Sequence, residues 1–150
     1  LLQKNCTAQE YEEHASLLDR MTIVSPNHVE ALSLAGHIPS PFTSDSELLR
    51  LFPNENDYWA ILQRTGKLLL KGMKINSHQD GWERGVIIRV GALGCLVLTS
   101  SSITRIPAYF GEDDQDKVKD VTGGGNAFLG GVVAGMQLTD GRSLVEGKFT

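Results

Sequence analysis

"DVTGGGNAFLGG", residues 120–131, is the stretch on which the reading of this chain turns. Gly123, Gly124 and Gly125 precede an apolar, helix-like run, "NAFLGGVVAGMQL". Glycine lets backbone N–H groups approach an anion with no Cβ in the way. A helix N-terminus adds unpaired donors and a favourable dipole. The turn therefore reads either as a phosphate cradle or as close helix–sheet packing, helped by Gly130, Gly131 and Gly135. It is not a Walker loop, because no Lys-Ser/Thr pair follows, and the G-x-G-x-x-G spacing of a dinucleotide fingerprint is not met.

Upstream lie "ITRIPAYF", a strand-like piece, and the acidic loop "GEDDQDK". Asp113, Asp114 and Asp116 resemble a calcium loop only loosely, since its glycine and terminal glutamate are absent, so a solvated loop is expected. "GVIIRV" and "CLVLTS" read as strands joined by the tight turn "GALG". Gly91 and Gly94 of that turn can press backbone against a nucleotide, or simply close a hairpin. A long amphipathic helix is expected over residues 57–73. Lys67, Lys71 and Lys74 share one face of it and read as a solvated stripe.

Closer to the start, "IVSPNHVEA" joins a short buried strand to a helix beginning at Asn27 and stopping near Gly36. Asn27 and Glu30 are three residues apart at the helix start. A carboxylate and an amide oxygen so placed suit magnesium through water, but the same spacing is a capping box. Thr7 with Glu10 and Ser44 with Glu47 repeat that spacing, and residues 7–20 read as a further helix. Helices alternating with short apolar strands predict an α/β layered fold with a mainly parallel sheet. Such folds bind ligands at the carboxyl ends of strands.

Composition narrows the function. A formal net charge of -4 argues against a nucleic-acid surface. No apolar run is long enough to span a membrane, and no signal peptide is visible. Cys6 and Cys95 lie far apart, and Cys95 reads as a small buried hydrophobe. A reduced, cytoplasmic protein is expected. The scattered histidines form no zinc motif, and no G-x-S-x-G elbow supports a nucleophilic hydrolase. The chain opens on "LLQKN" without an initiator Met and closes on "LVEGKFT" soon after the glycine helix. It is expected to be part of a longer protein.

Taken in order, "IVSPNHVEA", "VGALGCLVL", "IPAYF" and "DVTGGGNAFLGG" closely resemble the C-terminal half of PfkB carbohydrate kinases, the ribokinase-like family. Asp120, Thr122, Gly123, Gly125, Ala127, Phe128, Gly130 and Gly131 fit its signature, roughly D-T-T-G-A-G-D-x-F-x-G-G. The resemblance spans residues 21–138. It implies an α/β, three-layer αβα sandwich, with residues 1–150 as the C-terminal part of the kinase domain. It also implies ATP and Mg2+ as cofactors, a sugar-like alcohol as acceptor, and phosphoryl transfer between them. A homodimer is left open.

Carried over position by position, Asn126 stands where the family has its catalytic Asp, the base for the alcohol proton. Gly123, Gly124 and Gly125 correspond to the anion hole. Gly91 and Gly94 correspond to the glycine turn beside the nucleotide, and Asn27 and Glu30 to the magnesium-linked motif. Gly124 replaces Ala, and Arg89 stands where many members carry Thr or Ser. An amide takes up no proton near neutral pH. The resemblance therefore implies weakened transfer or, alternatively, a non-catalytic member that binds nucleotide or a partner protein.

Overall fold

The computed structural model describes residues 17–18, 20–37, 50–73, 84–110, 114, 117 and 122–138. Among the described residues the strands and α-helices are, in order, β1 (Ile23–Val24), α1 (His28–Leu34), α2 (Glu55–Gly72), β2 (Gly85–Arg89), β3 (Cys95–Thr99), β4 (Ile103–Ile106) and α3 (Gly124–Leu138). The fold is mixed α/β around one sheet of strand order β1-β2-β3-β4. Most of the helix expected over residues 7–20, and the Ser44/Glu47 capping pair, lie outside the described residues, as do Cys6 and Lys74.

The sheet is mixed rather than mainly parallel. Only β1 and β2 run parallel, whereas β2–β3 and β3–β4 are antiparallel. Connection length decides this, because parallel neighbours need a crossover of a dozen or more residues, usually a helix. α1 and α2 lie between β1 and β2. Between β2 and β3 stand only Val90 and the turn Gly91–Gly94, and between β3 and β4 only three serines. In the first turn Val90 N donates to Gly94 O at 2.7 Å. In the second, Thr99 Oγ1 accepts from the amides of Ser101 and Ser102 at 3.2 and 3.1 Å.

β2 and β3 are buried along nearly their whole length, as expected of strands covered on both faces. Alternation along a strand sends successive side chains to opposite faces. Val86, Ile88, Leu96 and Leu98 pack with Leu32, Trp59, Leu62 and Leu69 of α1 and α2. Ile87, Cys95 and Val97 meet Phe128, Val132 and Met136 of α3 on the other side. Those three α3 residues are four apart and so form one stripe on the helix.

Local chemistry sets the helix ends. Asn27 caps α1, and Gly36, at φ 69°, ends it. His37 N donates to Leu32 O and Gly36 N to Ser33 O, the paired bonds of a Schellman motif. α2 is capped by Asn54, whose side chain accepts from Asn56 N at 2.9 Å. It approaches β3 closely at Gly66, where a Cβ would fall 2.4 Å from Leu98 Cδ1. α3 begins two residues earlier than the sequence suggests. Gly123 alone makes the turn, at φ 78°, and Gly124 and Gly125 already belong to the first helical turn.

Candidate functional site

An open cleft of about 690 Å³ lies where β1 and β2 end, between the β2–β3 turn and the start of α3. Asn27, Gly91, Gly94, Gly124 and Gly125 all line it. Three motifs far apart in sequence thus meet at one place. Gly123 and Asn126 flank the cleft as exposed residues of the same turn and are not part of its wall.

The sheet brings the first two motifs together. Asn27 bridges to Arg89 as a one-residue continuation of the β1–β2 pairing. Arg89 N donates to Pro26 O at 3.0 Å. Arg89 follows Ile87 by two residues, so its side chain projects toward the α3 face. There its Nη2 donates to Ser25 O at 3.1 Å and stands 3.8 Å from Glu30 Oε2. Its Nε is buried without a hydrogen-bond partner. An unmet buried donor costs on the order of 1–3 kcal/mol.

Asn27 and Glu30 form a complete capping box. Asn27 Oδ1 accepts from Glu30 N, and Glu30 Oε2 accepts from Asn27 N, both at 2.8 Å. One oxygen of each side chain is therefore engaged in the cap, and a guanidinium stands beside the carboxylate. Among the described residues no group of three or more His, Cys, Asp or Glu side chains could hold a metal ion.

The glycines of the cleft divide by cause. A Cβ at Gly94, φ 93°, would lie 2.0 Å from Ile106 O and 2.7 Å from Ala108 N. Gly94 is therefore required by the segment leaving β4. Gly91, φ 57°, meets nothing within 4 Å, and only its backbone conformation asks for glycine. Gly123, Gly124, Gly130 and Gly131 also face open space. Of the two readings of these glycines, close packing is not met at Gly130 and Gly131, because α3 meets the sheet along its 128–132–136 stripe instead. Gly125 differs again: a Cβ there would fall 2.3 Å from Arg89 Nη1.

Two further residues of the cleft wall were given no role from the sequence. His28, the first residue of α1, bonds through Nδ1 to the Tyr58 hydroxyl, with the rings edge-on at 6.1 Å. Tyr109, 93% exposed, stacks edge-to-face on Phe110 at the rim. Only their membership in "SPNHVE" and "IPAYF" could have pointed to them. Cys95 is a buried free thiol on the wall, and burial pushes its pKa up. Lys67 and Lys71 are exposed and line a separate cavity of about 440 Å³ that shares no residue with the cleft. Asp114 pairs with Lys117 at 2.5 Å, and Asp113 and Asp116 lie outside the described residues.

Comparison with models of known protein families finds no match, and comparison with curated proteins finds none either. No helix of the described residues is long and apolar enough to cross a membrane.

Proposed function

We propose that the cleft is the phosphate-binding side of a PfkB-type phosphotransferase on a ribokinase-like αβα sandwich. The reaction is transfer of the γ-phosphoryl of ATP to an alcohol of a sugar-like acceptor. The observation that carries this reading is convergence: Asn27, the Gly91/Gly94 turn and Gly124/Gly125 line one cleft. Magnesium enters with the nucleotide phosphates, its usual mode of binding in such sites, rather than on a protein cage. A reduced, cytoplasmic setting is part of the same reading.

In the transfer, the acceptor oxygen forms a bond to the γ-phosphorus while the bond to the β-phosphate oxygen breaks, and ADP leaves with that electron pair. The alcohol proton departs to water or to a phosphate oxygen, because Asn126 offers an amide where a carboxylate would accept it. Catalysis of phosphoryl transfer rests mostly on positioning and electrostatics, so the site remains a slow kinase. The second reading, a nucleotide-binding protein without transfer, is favoured by one observation: Asn126 is exposed beside the cleft rather than in its wall.

Asn126→Asp in the whole protein separates the two. With acceptor present, turnover should rise by one to three decades with little change in ATP affinity, at or below the full worth of a positioned base, roughly 10²–10⁴. Native turnover already in the ordinary kinase range, about 1–100 s⁻¹, would mean that another residue serves as base. Absence of ATP binding in both forms would remove the nucleotide from either reading.

A further inference from the structure

We infer that Arg89 is the anion-binding group of the cleft, and that its guanidinium, not a metal held by Glu30, neutralises a bound phosphate-type oxyanion at the start of α3. The inference rests on the reading of the cleft as a phosphate site but needs no phosphoryl transfer.

Charge is the first argument. The chain carries a formal net charge of -4. Yet Arg89 is the one Lys or Arg lining the cleft among the described residues, and no Asp or Glu lines it. Among the described residues the cleft's lining charge is thus the guanidinium alone, with Glu30 beside it at 3.8 Å.

Donor supply is the second. A guanidinium presents donors in a planar fork suited to two oxyanion oxygens at once. Arg89 spends Nη2 on a single carbonyl, Ser25 O, while its Nη1 reaches the start of α3 beside Gly125 and its Nε is buried out of a ligand's reach. Glu30 Oε2 lies 3.8 Å away, beyond hydrogen-bond reach, and is already taken by Asn27 N. The arginine is held in place at one corner and is 25% exposed.

The third argument is clearance. Nη1 occupies the space a methyl group at position 125 would need, 2.3 Å from the ideal Cβ. Glycine at 125 thus admits the guanidinium to the first turn of α3. That turn's leading amides have no carbonyl four residues back within the helix. An oxyanion there meets backbone donors on one side and the arginine on the other. Open space around Gly124 leaves it room.

The test uses inorganic pyrophosphate as probe, titrated calorimetrically into the whole protein in EDTA at low salt. The native protein should bind it without metal. Arg89→Gln should lose about tenfold or more in affinity, the worth of one or two charge-assisted bonds. Glu30→Gln should bind at least as tightly as the native protein, since it removes the carboxylate nearest the guanidinium. Gly125→Ala, which leaves the charge in place but crowds Nη1, should weaken binding as well, and it carries the test if Arg89→Gln fails to fold.

Native binding that appears only with Mg2+, weaker binding by Glu30→Gln, or undiminished binding by Arg89→Gln would each overturn the inference. Pyrophosphate binding that depends on Arg89 without any ATP-dependent transfer would sink the kinase reading and leave this one standing. Transfer activity with undiminished pyrophosphate binding in Arg89→Gln would do the opposite.

Discussion

The two glycine turns of the cleft look alike in sequence and differ in what they need. At the β2–β3 turn, Gly94 is pressed against the backbone at Ile106–Ala108. At the start of α3, Gly123 is asked for only by its positive φ, and Gly124 stands in open space. The first turn's glycine is spoken for by the fold. The second leaves a glycine that the fold does not explain, at the cleft wall made by the start of α3. Glycine where packing does not require it is the better pointer to a ligand, since backbone approach is what its missing side chain permits.

Substitution by alanine puts that contrast to the test. Gly94→Ala should have the largest effect. A methyl driven into backbone at 2.0 Å, with left-handed strain of about 1–2 kcal/mol and overpacking of about 1–3 kcal/mol, should cost about 3 kcal/mol or more. Urea denaturation of the whole protein would show it as a lowered midpoint. A Gly94→Ala protein as stable as the native one would break the contrast outright.

Gly91→Ala should cost less, about 1 kcal/mol, because only its φ of 57° is unfavourable for a side chain. The same denaturation curve reads it. Gly124→Ala should move stability slightly the other way, by about 0.5 kcal/mol or less, since the penalty for glycine applies in a helix interior and Gly124 is the first residue of α3. The same variant should weaken pyrophosphate binding, because the methyl projects into the space an anion would use. Stability gained together with affinity lost would mark Gly124 as a ligand residue, whereas unchanged affinity would make it a neutral accident.

The smallest effect is expected at Cys95, directly after Gly94. Its folded pKa is raised by burial, so the fold favours the neutral thiol. That contribution is fully present below the ordinary thiol range, about 8.5. It is lost as pH rises through the higher folded value. Thermal stability should therefore sag slightly at alkaline pH, and Cys95→Ser should remove the sag. Alkylation of Cys95 should be slow at neutral pH and slower still with pyrophosphate bound.

Much of the local structure was legible beforehand. Asn27 and Glu30 at a spacing of three, followed by Gly36, marked both ends of α1, because capping depends on a few adjacent groups. The apolar runs at residues 85–90 and 95–99 marked two covered strands, and "GALG" marked the turn between them. Strand direction was misjudged for the sheet as a whole. Alternating element types suggested parallel pairing, and the two short connections outweighed that pattern.

The cleft was legible only in pieces. Gly91, Gly94, Gly124, Gly125 and Asn27 could each be singled out in the sequence, and each had an equally good local explanation. Local chemistry is what a sequence determines by itself: caps, turns, positive-φ positions and the apolar stripes of α2 and α3 follow from neighbours a few residues apart. Tertiary structure alone decided that these motifs meet, that Gly94 is a packing residue while Gly124 is not, and that Arg89 lies beside Gly125. Those outcomes depend on strand pairing between distant segments and on the face toward which residue 89 projects. Neither can be read from "GVIIRV", whose residues are apolar on both faces until the arginine.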